Sequence, residues 1–202
     1  MSIDEQMRSA PGAAAPAHSY DRVLKTIHWT SLLLIAAAYT AVWASHAVAG
    51  REHAMLVQLH RSLGLTVFAL TLFRLGWRCR ARIPELPLDL PRLQRAAART
   101  TERLIYLLLA LQPMLGVLDT NARGRRIDFY FLGELPAIIG RNKLLGSGAA
   151  AAHQFVGYLF LGVIALHAAA ALFHHFIRRD DVLRAMLPGA CTSTPGVLND
   201  KH

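Results

Sequence analysis

The chain has 202 residues, of which 53% are hydrophobic and only 17% are charged, yet its formal net charge is +9. Soluble domains of this length usually have a larger charged fraction. The basic residues cluster between long, nearly uncharged stretches. This distribution argues against a nucleic-acid-binding protein and is typical of a membrane protein with several spans.

The first segment, residues 1–19, lacks the charged start and the apolar core of a signal peptide, and its Ala/Pro composition predicts a disordered cytoplasmic leader. Four apolar runs follow, and their lengths predict an all-α membrane domain, a bundle of four transmembrane helices, over residues 20–188. The runs are Ile27–Trp43, Leu56–Trp77, Leu104–Leu118 and His153–Phe176.

The third run is short, and Pro113 within it predicts a kink. The Pro-rich segment 83–91 before it is expected to be an extended connector, and residues 189–202 a flexible cytoplasmic tail.

Orientation follows from the basic residues outside the runs. Fourteen of them fall in the leader, the segment between the second and third runs, and the tail, whereas six fall in the other two connections. Because Lys and Arg accumulate in cytoplasmic loops, both termini are predicted to be cytoplasmic. The six on the outer side are Arg51, Arg123, Arg125, Arg126, Arg141 and Lys143.

Four of the histidines that lie within or at the ends of the apolar runs are the main candidates: His28, His60, His153 and His167. Ionisable groups in a span are costly and usually face the bundle interior. Any one of them could instead be a histidine that is hydrogen-bonded to a neighbouring helix or placed at the headgroup level.

The depths of the four histidines sort them into two pairs. His153 and His167 are fourteen residues apart, so they share a helix face and lie about 21 Å apart along the axis. His28 lies at the start of the first helix, which runs outward, and His60 lies at the start of the second helix, which runs inward. The predicted pairs are therefore His28 with His167 near the inner surface and His60 with His153 near the outer surface. Each pair is placed to clamp one iron between two helices.

Haem suits such pairs better than zinc does. Zinc takes four protein ligands in a structural site, and each level offers two histidines without a nearby cysteine or carboxylate. A porphyrin needs only two axial imidazoles and room for its ring. Gly64 and Gly157, one turn beyond His60 and His153, leave that room, although small residues also serve helix packing in membranes. No C-x-x-C-H motif is present, so covalent haem attachment is not expected.

The segments KTIHW (25–29), QLHRSLG (58–64) and AAHQFVGYLFLGVIALHAAAALFHH (151–175) resemble the bacterial cytochrome b561 family. The resemblance implies a four-helix inner-membrane protein in which the four histidines ligate two b haems. It also implies electron transfer between the outer surface, the haems and the quinone pool, and the best-understood type is similar to a superoxide oxidase that reduces ubiquinone. Some relatives carry extra histidines at the start of the third helix, where this chain has Arg99 and Glu102.

Other residues are secondary candidates. Arg61 and Arg74 could pair with haem propionates at the outer and inner levels. His174, seven residues beyond His167, could bind a quinone carbonyl and deliver a proton, or it could be an ordinary interface residue. The basic outer loop could attract superoxide, or it could bind propionates or lipid phosphates, or simply be solvated.

Membrane lipid is expected as a partner in any case. Two main classes of function remain open. The first is a superoxide:quinone oxidoreductase that acts alone. The second is an electron-relay cytochrome subunit for a redox protein partner, a dehydrogenase or a hydrogenase. A haem-free ion transporter is the third and weakest reading.

Overall fold

The computed structural model describes residues 19–81, 83 and 91–189. Four long helices dominate this part of the chain, and each is long and apolar enough to cross a membrane. They are α1 Arg22–Ser45, α2 Gly50–Arg78, α3 Arg92–Ala122 and α4 Lys143–Phe173. The predicted four-helix membrane bundle is thereby confirmed.

Shorter elements complete the described fold. α4 continues as a π-helical turn over His174–Arg178, and a 3-10 turn over Arg184–Met186 follows. In the connection between α3 and α4, β1 Ile127–Asp128 pairs with β2 Glu134–Leu135 as an antiparallel hairpin. The predicted leader and tail lie outside the described residues, apart from Ser19 and Gly189, as does most of the predicted connector 83–91.

Helices α3 and α4 extend well beyond the apolar runs that predicted them. α3 begins at Arg92 rather than Leu104, and α4 begins at Lys143 rather than His153. An apolar run marks the part of a helix inside the hydrocarbon, whereas the backbone hydrogen bonds continue into the headgroup region. At the start of α4 the Asn142 side chain accepts a hydrogen bond from the Leu145 amide, 3.0 Å away, and so caps the helix. Pro113 lies inside α3, and the bend it predicts stays a prediction.

The helices associate in pairs: α1 packs along α2, and α3 packs along α4. Contacts between α2 and α3 join the two pairs. An apolar core fills the middle of the bundle. It consists of Val67, Leu108, Leu109, Phe160 and Val163. This core lies between the two levels at which the histidines occur.

Both ends of the described chain lie at the same end of the bundle. The Tyr20 amide donates to the Ala185 carbonyl over 3.2 Å, and the Trp29 indole donates to the Met186 carbonyl over 2.9 Å. We call this the inner end, and the opposite end, with the α1–α2 and α3–α4 connections, the outer end.

Candidate functional site

The structure brings the four span histidines together in two pairs. Near the outer end the ring centroids of His60 and His153 are 6.0 Å apart, with planes at 86°. Nearer the inner end the centroids of His28 and His167 are 6.3 Å apart, with planes at 68°. These are the same partners that the sequence matched by depth.

The spacing within each pair fits a metal held between two imidazoles. Two metal–nitrogen bonds of about 2 Å, plus about 1 Å from each nitrogen to its ring centre, separate trans imidazoles by about 6 Å. Both pairs therefore fit the axial ligation of a haem iron.

Hydrogen bonds orient the outer pair for ligation. The Nδ1 atom of His60 lies 2.9 Å from the Ala38 carbonyl oxygen, and Nδ1 of His153 lies 3.0 Å from that of Gln112. A carbonyl can only accept, so each Nδ1 carries the proton and each Nε2 keeps its lone pair. Backbone carbonyls commonly fix metal-binding histidines in this way.

A cavity of about 290 Å³ adjoins the outer pair, and all four helices line it. Gly64 and Gly157 both face this cavity but differ in their surroundings. A Cβ at Gly64 would meet no atom within 4 Å, so Gly64 provides open space. A Cβ at Gly157 would lie 3.0 Å from Nε2 of Gln112, so Gly157 allows a close approach between α3 and α4.

Two residues of α3 belong to this site although the sequence analysis did not select them. The Gln112 amide donates to the His153 backbone carbonyl over 3.0 Å and lies 3.3 Å from His153 Nε2. A Cβ at Gly116 would lie 3.1 Å from Cε1 of His153. Nothing in the local sequence separates these residues from ordinary helix-packing positions, because their role depends on a ring supplied by α4.

The inner pair lies beside buried donors that lack acceptors. Nη1 of Arg74 donates to Nδ1 of His28 over 3.3 Å. Nε of Arg74, Nε1 of Trp77 and the hydroxyl of Tyr106 are buried without a hydrogen-bond partner among the described residues. Unpaired buried donors are costly, and a haem propionate is an acceptor that would satisfy them. The arrangement fits the predicted role of Arg74, which stays a prediction.

Glu102 forms an ion pair with Arg78 at the inner end. Arg78 also lies over the ring of Tyr106, 5.8 Å from its centroid. Tyr20 packs nearby, and burial, together with the negative charge of Glu102, raises the pKa of its phenol, which therefore stays protonated. Within α3 this chain thus has a carboxylate that neutralises an arginine of α2.

The remaining candidates have local partners. Arg61 donates to the Gln58 side chain over 2.8 Å, so its predicted propionate contact stays a prediction. Nδ1 of His174 lies 2.5 Å from Oδ2 of Asp180, and Nε of Arg178 lies 3.6 Å from the same oxygen. His174 starts the π-helical turn, an irregularity that is frequent at functional sites.

Comparison with known proteins identifies the family. The model of the prokaryotic cytochrome b561 family matches residues 19–189. The chain belongs to this family. It is therefore a haem-binding membrane cytochrome with four transmembrane helices, and the resemblance carried by the histidine segments is confirmed.

Relatives from two organisms match most of the chain. Cytochrome b561 homolog 2 of Escherichia coli (strain K12) is 32% identical over 69% of this chain and 74% of its own length. Cytochrome b561 homolog 1 of the same organism is 27% identical over 80% of this chain and 93% of its own length. A protein of Yersinia pestis named probable superoxide oxidase CybB is 28% identical over 80% of this chain and 92% of its own length.

Gly116 provides a test of the outer site in this cytochrome. We expect Gly116→Val to displace the His153 ring, because even a Cβ there would lie 3.1 Å from Cε1. Less haem should be retained per chain, measured by pyridine haemochrome assay against protein concentration. Gly162→Val in α4 is the matched control, since a Cβ at Gly162 meets nothing within 4 Å. Equal haem content in the two variants would contradict this role of Gly116.

Proposed function

We propose that this cytochrome holds two b haems, one at each histidine pair, and transfers electrons from superoxide at the outer end to ubiquinone. The two pairs carry the proposal, because each has the spacing of an iron-bound pair and they lie toward opposite ends of one bundle. The name of the Yersinia pestis relative supports superoxide as the donor.

In this proposal His60 and His153 hold the outer haem, and His28 and His167 hold the inner one. A haem bound by two imidazoles supplies a one-electron carrier without an open coordination position. When His28 ligates through Nε2, its Nδ1 carries a proton and no longer accepts from Arg74. The Arg74 guanidinium is then available to a propionate.

The inner end faces the cytoplasm of a bacterial cell in this proposal, and the outer end faces the other side of the inner membrane. The excess of Lys and Arg in the segments at the inner end supports this orientation. Superoxide formed outside the cell membrane would then reach the outer end directly.

The proposed reaction is balanced by two superoxide anions, one quinone and two protons, which give two molecules of oxygen and one quinol. The outer loop contributes attraction for the anion, but not all its arginines are available. Arg123 forms an ion pair with Asp119, and Arg126 forms one with Glu134. Arg125 and Arg141 have no ion pair with another described residue, so we assign the attraction mainly to them.

At the inner end His174 is proposed to donate a hydrogen bond and then a proton to the reduced quinone. Its α-helical spacing of seven residues from His167 places it on the same side of α4, about 10 Å farther inward. Asp180 fixes the imidazole through Nδ1, which leaves Nε2 to face a substrate. Imidazole is suited to this transfer because one ring nitrogen can be held by a partner while the other donates a proton.

Rapid mixing of the oxidised cytochrome with superoxide tests the proposal. We expect haem reduction to slow as salt is added, because the screening length falls from about 10 Å at 0.1 M to about 3 Å at 1 M. The double variant Arg125→Gln/Arg141→Gln should slow it further with unchanged haem content. The double variant Arg125→Lys/Arg141→Lys is the control, since it keeps both positive charges. A slow reaction that is independent of salt would contradict superoxide as the donor and favour the relay of electrons from a protein partner.

A further inference from the structure

The β1–β2 hairpin is hydrogen-bonded to the side of α2. Ser62 donates from Oγ to the Asp128 carbonyl over 3.3 Å and accepts from the Tyr130 amide over 3.0 Å. The hydroxyls of Thr66 and Tyr130 are 2.9 Å apart. Ser62 is only 1% exposed beneath these contacts. The hairpin is therefore a fixed part of the described structure rather than a loop that only extends into solvent.

The contacts place the hairpin tip beside the apolar run of α2. At 1.5 Å per residue, Ser62 and Thr66 lie about 9 and about 15 Å inward from Leu56, where the apolar run of α2 begins. Thr66 is also about 9 Å deeper than His60. The chain thus leaves the outer end of α3 and turns back alongside a membrane-spanning helix.

The hairpin does not cover the outer histidine pair. Ser62 follows His60 by two residues, which at 100° per residue places the two side chains about 200° apart around α2. The hairpin therefore contacts the face of α2 that is turned away from the histidine pair. A role as a lid over that pair is excluded by this placement.

The turn at the tip has an unfavourable backbone conformation, and its side chains are apolar and exposed. Leu132 N donates to Phe129 O over 3.0 Å, and the two residues between them, Tyr130 and Phe131, have φ of 50° and 61°. Hairpin turns with two positive φ values favour Asn-Gly, because bulky side chains disfavour the left-handed region of φ. Yet the side chains presented are Phe131, 59% exposed, and Leu132, 84% exposed.

Several polar groups of the hairpin, in contrast, are paired. The Phe129 amide donates to the Gly133 carbonyl over 3.0 Å. The Gly133 amide donates to Oδ1 of Asp128 over 3.3 Å. Together with the Ser62 and Tyr130 contacts, these bonds satisfy much of the backbone on either side of the turn. Non-helical backbone next to a membrane depends on such bonds.

We propose that the β1–β2 hairpin dips into the outer leaflet and that Phe131 and Leu132 contact the acyl chains of phospholipids. The Arg126–Glu134 ion pair at the base of the hairpin is exposed and charged, so we assign it to the headgroup region and the apolar tip to the acyl chains. The occupant of this surface is lipid because the tip is apolar and lies beside an apolar span. This inference does not depend on the electron donor or acceptor.

A nitroxide spin label at residue 132 tests the depth of the tip. The full-length, haem-containing protein would carry Cys79→Ala, Cys191→Ala and Leu132→Cys and be studied in phosphatidylethanolamine–phosphatidylglycerol vesicles. Ile138→Cys is the matched control, because Ile138 is 78% exposed and its amide is bonded to Asn121 at the outer end of α3. We expect collisions of the label at 132 with oxygen to exceed those with an aqueous nickel chelate, and the reverse order at 138.

The visible spectrum of each labelled protein reports whether the haem-binding fold is intact. Phe131→Cys provides a second label position at the tip should the first variant lose haem, and the same result is expected there. Accessibility to the nickel chelate that is as high at 131 and 132 as at 138 would overturn the proposal. That result would make the tip a surface in water.

Discussion

His153→Ala is expected to remove the outer of the two proposed haems and to leave the inner one in place. Loss of the His153 imidazole would leave a single protein ligand at the outer level, whereas His28 and His167 are untouched. His60→Ala should give the same loss, because its ring is the other half of the pair. His28→Ala and His167→Ala should remove the inner haem instead.

Potentiometric titration of the α-band of the purified protein separates the two haems and tests this pairing. His53→Ala is a matched control at the outer end, because His53 bonds to the Ser45 carbonyl, 2.8 Å away, and belongs to neither pair. If His153→Ala and His28→Ala removed the same titrating component, the pairing by depth would be wrong. A wild-type content of one haem per chain would also overturn it.

His174→Ala is expected to slow re-oxidation of the reduced cytochrome by ubiquinone by at least about tenfold, since a positioned general acid commonly contributes about 10²–10⁴-fold. Asp180→Asn should give a smaller loss, because the amide can still orient the imidazole but no longer stabilises its positive charge. Stopped-flow absorbance after mixing with a soluble ubiquinone gives both rates. Reduction by superoxide at the other end should be unchanged.

His175→Ala is the control for the quinone reaction. His175 is the next residue along the π-helical turn, and its buried Nδ1 has no hydrogen-bond partner among the described residues. Its replacement should leave re-oxidation near the wild-type rate. Equal losses in the His174 and His175 variants would indicate a general disturbance of the inner end and contradict a specific role for His174.

The bundle and the histidine partners could be predicted from the sequence, because they depend only on the lengths of the apolar runs and the spacing of the histidines. Apolar runs separated by basic segments predict spans, and a rise of 1.5 Å per residue assigns each histidine a depth. No knowledge of packing is needed to match His60 with His153. The family resemblance then agreed with the residues selected on these grounds.

Features that depend on contacts between distant segments were not predictable in this way. The carbonyl that orients His60 belongs to Ala38, and the glycine that makes room for His153 is Gly116 on another helix. The hairpin was counted only as a basic loop, because no local signal shows that Ser62 would accept the Tyr130 amide. Its Tyr-Phe turn even opposes the usual sequence preference for positive φ.

The apolar core between the two histidine levels acts as an electrical insulator. His153 and His167 are about 21 Å apart along α4, so an electron moving between the levels crosses roughly two thirds of a hydrocarbon layer of about 30 Å. A full crossing costs about 2.3 kcal/mol per charge at 100 mV, so this step costs about 1.5 kcal/mol against a negative interior. Oxidation of superoxide outside would therefore add to the membrane voltage, and a large voltage would in turn slow the reaction.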